Sequence, residues 1–255
     1  MAIVYSVQNN KGGNSKSTTT VSLGSILGGR GKRVLIVDTD PQGNVSVIYG
    51  RDPDKLEFTL YDVLLENYPV EHVIVPLTEN VDLVPSNSDL DFFDIDVISE
   101  REKFPNPYIL LKEKLEPIQD KYDYIIIDTP SYMGLMILNV LMVTENVIIP
   151  FVPDALSVKG VIKLINKINE YKEKLHTSVQ IAGLFPVIVE DRTVVHRDVI
   201  NQMKEFCYLN GIKYIDIPIP KKIAYSTEVA YNARPAVDTN KEIRQIYTNI
   251  LDELV

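Results

Sequence analysis

Short β-branched runs alternate along this chain with longer helical patterns, and no other feature limits the possible folds so sharply. Six runs stand out, at residues 3–7, 34–37, 81–85, 124–127, 147–152 and 180–189, and residues 214–217 read as a seventh. Runs such as Tyr124-Ile125-Ile126-Ile127 carry no alternating polar residues, which suits strands covered by helices on both faces. The expectation is an α/β fold with a doubly wound, mostly parallel sheet flanked by helices. Ile243, Ile246, Tyr247, Ile250, Leu251 and Leu254 fall at helical spacing and predict a C-terminal helix docked on that sheet. The 255 residues, 45% hydrophobic and 24% charged, are enough for a single domain over 1–255 with a real core. Cys207 is the one cysteine, so no internal disulfide or thiolate metal cage is available, and a reducing, cytoplasmic setting is expected. The opening MAIVYSV lacks a basic n-region, and the longest apolar stretch, from Met133 to Val143, is too short to span a bilayer.

The first run leads into Asn10-Lys11-Gly12-Gly13-Asn14-Ser15-Lys16-Ser17-Thr18, and a helix-compatible stretch follows. A strand, a small-residue turn and a helix N-terminus in that order aim backbone N–H groups and the helix dipole at an anion. Such a loop is expected to cradle phosphates along Gly12, Gly13, Asn14 and Ser15, with Lys16 reaching the β- and γ-phosphates. Ser17 would ligate Mg²⁺, and Thr18 would donate to the α-phosphate. The competing reading is a glycine-rich turn with exposed lysines, and the register of Lys16-Ser17 after a strand argues against it.

Lys11, a second lysine at the start of the loop, makes the chain resemble the ParA/MinD family of P-loop ATPases, whose deviant Walker A motif reads KGGxGK[ST]. Ser15 stands where that pattern has glycine; serine at a positive φ carries a steric cost, which bears on nucleotide affinity. The resemblance extends over nearly the whole chain. Residues 34–44, ending Asp38-Thr39-Asp40-Pro41-Gln42-Gly43-Asn44, are similar to the second family motif. There the resemblance implies that Asp40 orients the attacking water while Asp38 supports Mg²⁺ and the switch region. Residues 124–130 resemble a Walker B strand, with Asp128 holding Mg²⁺ through water. Gly134, Asn139, Ile149-Pro150 and Gly160 match the stretches after it. Residues 217–220, then Ser226, Glu228, Arg234, Pro235 and Val237, resemble the last strand and loop, which implies that Pro218 packs near the adenine. Ser131 and Val187 depart from the usual proline and threonine.

The formal charge is −9, and it is unevenly spread. Residues 51–105 hold fourteen acids against four bases, so this acidic, variable-looking segment accounts for the negative balance and leaves room for a basic face elsewhere. One cysteine excludes the iron–sulfur branch of the superfamily. The tail from Lys241 carries Glu242, Asp252 and Glu253 beside Lys241 and Arg244, which suits a core helix better than the basic membrane-targeting helix of the MinD branch. What remains resembles the small, Soj-like ParA branch. That resemblance implies an ATP-sandwich homodimer with Lys11 acting across the interface, non-specific binding to nucleoid DNA, hydrolysis stimulated by a ParB-like centromere-binding partner, and no membrane association. Lys221, Lys222 and Arg234 in the late loop match the family's DNA-contacting position, and Lys159 and Lys163 form a rival stripe at helical spacing. A MinD-like positioning ATPase and a degenerate nucleotide-binding adaptor are the alternatives. His72, His176 and His196 lack metal-ligand spacing.

Overall fold

The computed structural model describes residues 1–154, 157–190 and 193–255. Seven strands form one sheet: β1 (Ile3–Val7), β2 (Val34–Asp38), β3 (Val75–Thr78), β4 (Val81–Val84), β5 (Tyr124–Asp128), β6 (Asn146–Phe151) and β7 (Gln180–Pro186). Their spatial order is β3-β4-β2-β5-β1-β6-β7, and every neighbouring pair is parallel except β3 with β4. The helices are α1 (Lys16–Gly29), α2 (Asn44–Ile48), α3 (Leu60–Leu65), α4 (Val70–Val73), α5 (Phe93–Ser99), α6 (Leu110–Leu115), α7 (Leu135–Val143), α8 (Ser157–Leu175), α9 (Val194–Leu209), α10 (Ala224–Thr227) and α11 (Lys241–Leu254).

Alternation along the central strands divides the core between two faces. Val4, Leu35, Val37, Ile125 and Ile127 pack with α3, α5, α6 and α7, whereas Tyr5, Val7, Ile36 and Ile126 pack with α1 and α11. A third cluster joins β6 and β7 to α8 and α9 through Phe151, Leu164, Ile168 and Met203. Much of the acidic segment covers the first face, with Leu60, Val63, Leu64, Phe93 and Val97 pointing inward, while its Val81 and Leu83 on β4 join the second.

Helix α1 lies very close to the sheet, because a Cβ on Gly28 would come within 2.5 Å of the Val81 side chain. The C-terminal stripe forms α11 as expected. Asn240 caps it by accepting from the Glu242 and Ile243 amides at 3.1 Å, and Ile243, Tyr247, Ile250 and Leu251 are buried against the α1 side.

Two sequence expectations need correction. Residues 214–217 form no strand: Tyr214 makes a single parallel bridge to Leu184 of β7, and the next bridge, Pro220 to Val189, falls beyond both the segment and the end of β7, because Pro218 and Pro220 lack the N–H groups a ladder needs. β7 itself stops at Pro186, two residues before Ile188 at a φ of 55°, and does not run to residue 189. The antiparallel edge strand β3 is also missing from the sequence reading. Its Val-Pro-Leu-Thr gives no continuous apolar run, and its half-exposed edge position does not require one.

Candidate functional site

β1 lies between β5 and β6, so the chain leaves it toward one half of the sheet and later returns to the other. Such a switch point opens a crevice at the carboxyl ends of the strands. The loop from Gln8 to Ser15 crosses that crevice and is anchored at its base. The Gln8 amide donates to the Ile148 carbonyl at 2.9 Å, and the Asn9 side chain donates to the Pro150 carbonyl at 2.7 Å while accepting from the Lys11 amide at 3.0 Å. Past this anchor, a Cβ on Gly12 or Gly13 would meet nothing within 4 Å, and Gly13 has a φ of 76°. Gly12 to Thr18, together with Asp40, Gln42, Ser131 and the apolar Val47, Ile48 and Val229, enclose a cavity of about 510 Å³ above the N-terminus of α1.

Ser15 precedes α1 at φ 56° and ψ 27°, in the left-handed region, and its hydroxyl makes no capping hydrogen bond. The departure from glycine noted in the sequence therefore falls on a residue whose backbone favours glycine.

Lys16 is 6% exposed, and its ammonium donates to the Ser131 hydroxyl at 2.7 Å. Burial lowers its pKa, and the nearby Asp128 and Asp40 carboxylates pull it back up. Asp128 ends β5 and is fully buried. One of its oxygens accepts from the Thr20 hydroxyl at 3.3 Å, and the other, Oδ2, has no hydrogen-bond partner. Burial pushes its carboxyl up to about 7, with Ser17 and Lys16 drawing it back. Asp38, its register partner at the end of β2, is equally buried. Burial and the facing Asp128 charge raise the Asp38 pKa, while the Asp40 and Val45 amides, donating to its two oxygens at 3.0 and 3.1 Å, oppose the rise. Asp38 thus organises the turn after β2.

That turn carries Asp40 to the cavity. One of its carboxylate oxygens accepts from the Gln42 amide at 3.1 Å, and its carbonyl accepts from the Ser86 hydroxyl at 2.5 Å. Gly43, at a φ of 58°, has no room for a side chain: a Cβ would lie 2.5 Å from Pro53 and 3.0 Å from the Ser86 carbonyl.

Lys11 forms an ion pair with Asp154 of its own chain, with the lysine side chain 52% exposed. Pro218 is exposed and is not among the residues enclosing the cavity; the late segment contributes Val229 instead. The basic candidates divide clearly. Lys221 pairs with Glu190 at 2.8 Å, Lys222 pairs with Glu242, and Arg234 only reaches the Asn232 carbonyl at 3.4 Å. Lys159 and Lys163 are exposed on α8 and have no ion pair among the described residues. Asn139 serves the fold, accepting from the Leu111 amide at 3.2 Å and donating to the Pro107 carbonyl at 2.8 Å.

Sequence reasoning missed Thr20, Asp154 and Val229, and saw Ser131 only as a departure from proline. The signal for Thr20 was present, since it lies one turn along α1 from Ser17 on the face toward β5.

A family model described as an AAA domain matches residues 2–181. The sporulation initiation inhibitor protein Soj of Bacillus subtilis is 30% identical over 257 residues, covering 100% of this chain and 98% of that protein. The chain belongs to the ParA family of P-loop ATPases. Among solved structures, cobyrinic acid a,c-diamide synthase from Mycobacterium smegmatis with bound ADP and magnesium superposes with a TM-score of 0.84 at 28% identity, covering 99% of this ParA-family chain and 93% of the other. A plasmid partition protein from Borrelia burgdorferi bound to AMPPNP superposes with a TM-score of 0.82 at 25% identity, covering 99% and 98%. The same overall fold is thus found in proteins named as a diamide synthase and as a plasmid partition protein, so the fold alone does not fix the reaction.

Proposed function

We propose that this chain is a DNA partition ATPase working as one domain over residues 1–255. It binds ATP with Mg²⁺, closes face to face into a homodimer, binds DNA without sequence preference and hydrolyses ATP slowly until a ParB-like centromere-binding partner stimulates it. It works in the cytoplasm on the nucleoid. The observation that carries this reading is the convergence of a buried, unpartnered Asp128 oxygen and the buried Lys16 ammonium on an open glycine-lined loop at a helix N-terminus. A carboxylate oxygen buried without a donor fits a cation, and the loop and lysine fit polyphosphate.

Ser17 and Asp128 would hold Mg²⁺, with Asp38 behind them. When bound with the nucleotide, Mg²⁺ supplies positive charge against the phosphate oxygens. Lys16 binds the β- and γ-phosphates, and the amides from Gly12 to Thr18 hold the chain of phosphates in line. Val229, Val47 and Ile48 give the cavity an apolar side suited to a base. Asp40 orients water: Gln42 fixes one of its oxygens, and no described residue takes the other. The water attacks the γ-phosphorus, the bond to the bridging oxygen breaks, and ADP and phosphate leave.

Lys11 exchanges its ion pair with Asp154 for the phosphates of the facing subunit, where its charge neutralises the transition state as an arginine finger does. An exposed ion pair is worth about 0–1 kcal/mol, so the exchange costs little. Lys159 and Lys163, which have no ion pair among the described residues, support α8 as a DNA-facing surface, with Lys221, Lys222 and Arg234 as the rival. The packing of α11 into the core counts against the MinD-like alternative, whose membrane contact would need that C-terminal helix free. Ser15 in the left-handed region favours a second reading, a nucleotide-switched adaptor with weak hydrolysis.

Light scattering after size exclusion, run beside co-sedimentation with DNA and with anionic vesicles, tests the proposal. Dimerisation and DNA retention in ATP alone are expected, and retention on vesicles in place of DNA would overturn it. Phosphate release that stays at background with ATP bound would favour the adaptor.

A further inference from the structure

Ser131 stands where the family pattern has proline, and the exchange puts a hydroxyl on the wall of the cavity above α1. Proline there would offer neither a side-chain hydrogen-bonding group nor a backbone N–H. The Ser131 oxygen lies 2.7 Å from the Lys16 ammonium. An ammonium carries three N–H donors and no lone pair, so in this bond the hydroxyl can only accept. Its own proton is left over, and among the described residues no acceptor takes it.

The loop that carries Ser131 is pinned at its two ends. The Thr129 hydroxyl donates to the Val7 carbonyl at 2.7 Å, and the Leu135 amide donates to the Asp94 carboxylate at 3.0 Å. Gly134 tightens the second pin, because a Cβ there would stand 2.5 Å from that carboxylate and 2.7 Å from the Tyr132 ring. Between the pins, no amide from Ser131 to Met133 donates a hydrogen bond among the described residues. The bond from Lys16 is therefore what fixes the Ser131 side chain, and it fixes it beside the phosphate-binding lysine.

Ser131 follows Asp128 by three residues, and Lys16 is close enough to Asp128 and Asp40 for both carboxylates to act on its charge. The hydroxyl thus joins the residues assigned above to the terminal phosphate and its attacking water. Resting on the reading of this cavity as an ATP site, we propose that Ser131 donates its free proton to a γ-phosphate oxygen while accepting from Lys16, so that this chain tells ATP from ADP through a side chain the usual proline cannot supply. Lys16 has two further N–H groups for phosphate, so its bond to Ser131 survives when nucleotide enters. With ADP the γ-phosphate oxygens are missing, and Ser131 only holds the lysine.

Calorimetry of the full-length chain with Mg²⁺, titrating AMPPNP and ADP in turn, tests the proposal. All titrations use the Lys11→Ala background, so that dimerisation does not add to the affinity for the triphosphate. Ser131→Ala should lower the ratio of AMPPNP to ADP affinity by about tenfold or more, the usual worth of a hydrogen bond to a charged oxygen. Ser131→Thr keeps a hydroxyl and should restore most of that ratio. Loss of the Lys16 acceptor alone would weaken both nucleotides together, and a saturating ADP isotherm in the alanine variant excludes unfolding as the cause. An unmoved ratio in Ser131→Ala, or a threonine ratio as low as that of alanine, would overturn the proposal and leave the ATP site standing. Failure of the Lys11→Ala chain to bind either nucleotide would overturn the ATP reading itself, and the role of Ser131 with it.

Discussion

Replacing Ser15 with glycine should stabilise the chain, although it removes a side chain from a helix start. Ser15 sits at φ 56° and ψ 27°. Holding a residue with a Cβ in that region costs roughly 1–2 kcal/mol, a strain that glycine escapes. Against this, glycine adds about 0.4–1 kcal/mol of unfolded-state entropy to be lost on folding. The usual penalty for deleting a capping serine does not arise, because the Ser15 hydroxyl makes no capping bond, and even a functional cap loses only a few tenths of a kcal/mol to glycine. The balance is a gain of about 0.5–1 kcal/mol, or roughly 1–4 °C in Tm for a chain of this size. Ser15→Ala is the decisive control: it removes the hydroxyl, keeps the Cβ and should leave Tm unchanged or lower. Thermal unfolding by circular dichroism measures both, and calorimetry of ATP binding should show the glycine variant binding at least as tightly as the parent. A glycine variant that melts below the parent, or an alanine variant that gains as much, would refute the assignment of strain to the backbone.

Asp40 and Asp128, proposed above to orient water and to hold Mg²⁺, should fail differently. Asp40→Ala should bind ATP and dimerise yet lose turnover by a factor of about 100 or more, as expected for a lost general acid–base group, whereas Asp128→Ala should lose Mg²⁺-dependent binding and the dimer with it; phosphate release and light scattering separate the two. Lys11→Ala should keep monomer nucleotide affinity and lose ATP-dependent dimerisation, and Asp154→Asn should leave that dimer intact or favour it. Replacing Lys159 and Lys163 by alanine should reduce the slope of log affinity for DNA against log salt by roughly one for each phosphate no longer neutralised; if only the Lys221, Lys222 and Arg234 substitutions do so, the late loop is the DNA surface.

Strands with a buried apolar run were legible, because burial on both faces writes itself into consecutive residues, as in β2 and β5, whose interior positions are almost wholly hidden. The pieces that escaped are those whose conformation depends on a neighbour. β3 pairs only at the edge, and residues 214–217 were misread because Tyr214 and Ile215 pack inward without a ladder to join. In the site, the loop and its lysine could be placed by spacing along the chain. Ser131 and Val229 could not, since each reaches the cavity from a separate loop and is an ordinary residue locally. The strain at Ser15 was foreseen from its place in the motif, but the uncapped hydroxyl needed the geometry.

The cost of the site lies in its two strand-end carboxylates. Asp38 and Asp128 are register partners on adjacent strands, both buried, and burial raises the pKa of each above the ordinary value of 3.8. A carboxyl whose folded-state pKa is raised holds its proton more firmly in the folded chain than in the unfolded one. Without ligand, stability should therefore fall as pH rises from about 4 toward the value near 7 reached by Asp128, and remain lower above it. Removing the charge at one position should abolish most of that decline, so Asp128→Asn should melt at or above the parent near neutral pH and show a flatter pH profile. ATP with Mg²⁺ should flatten the parent profile in the same way, because a cation beside Oδ2 compensates the ionised carboxylate and binding stabilises the folded state in proportion to its affinity. ATP in the presence of a chelator should do so far less. A ligand-free melting profile that rises between pH 5 and 7 would show that these two groups do not govern it.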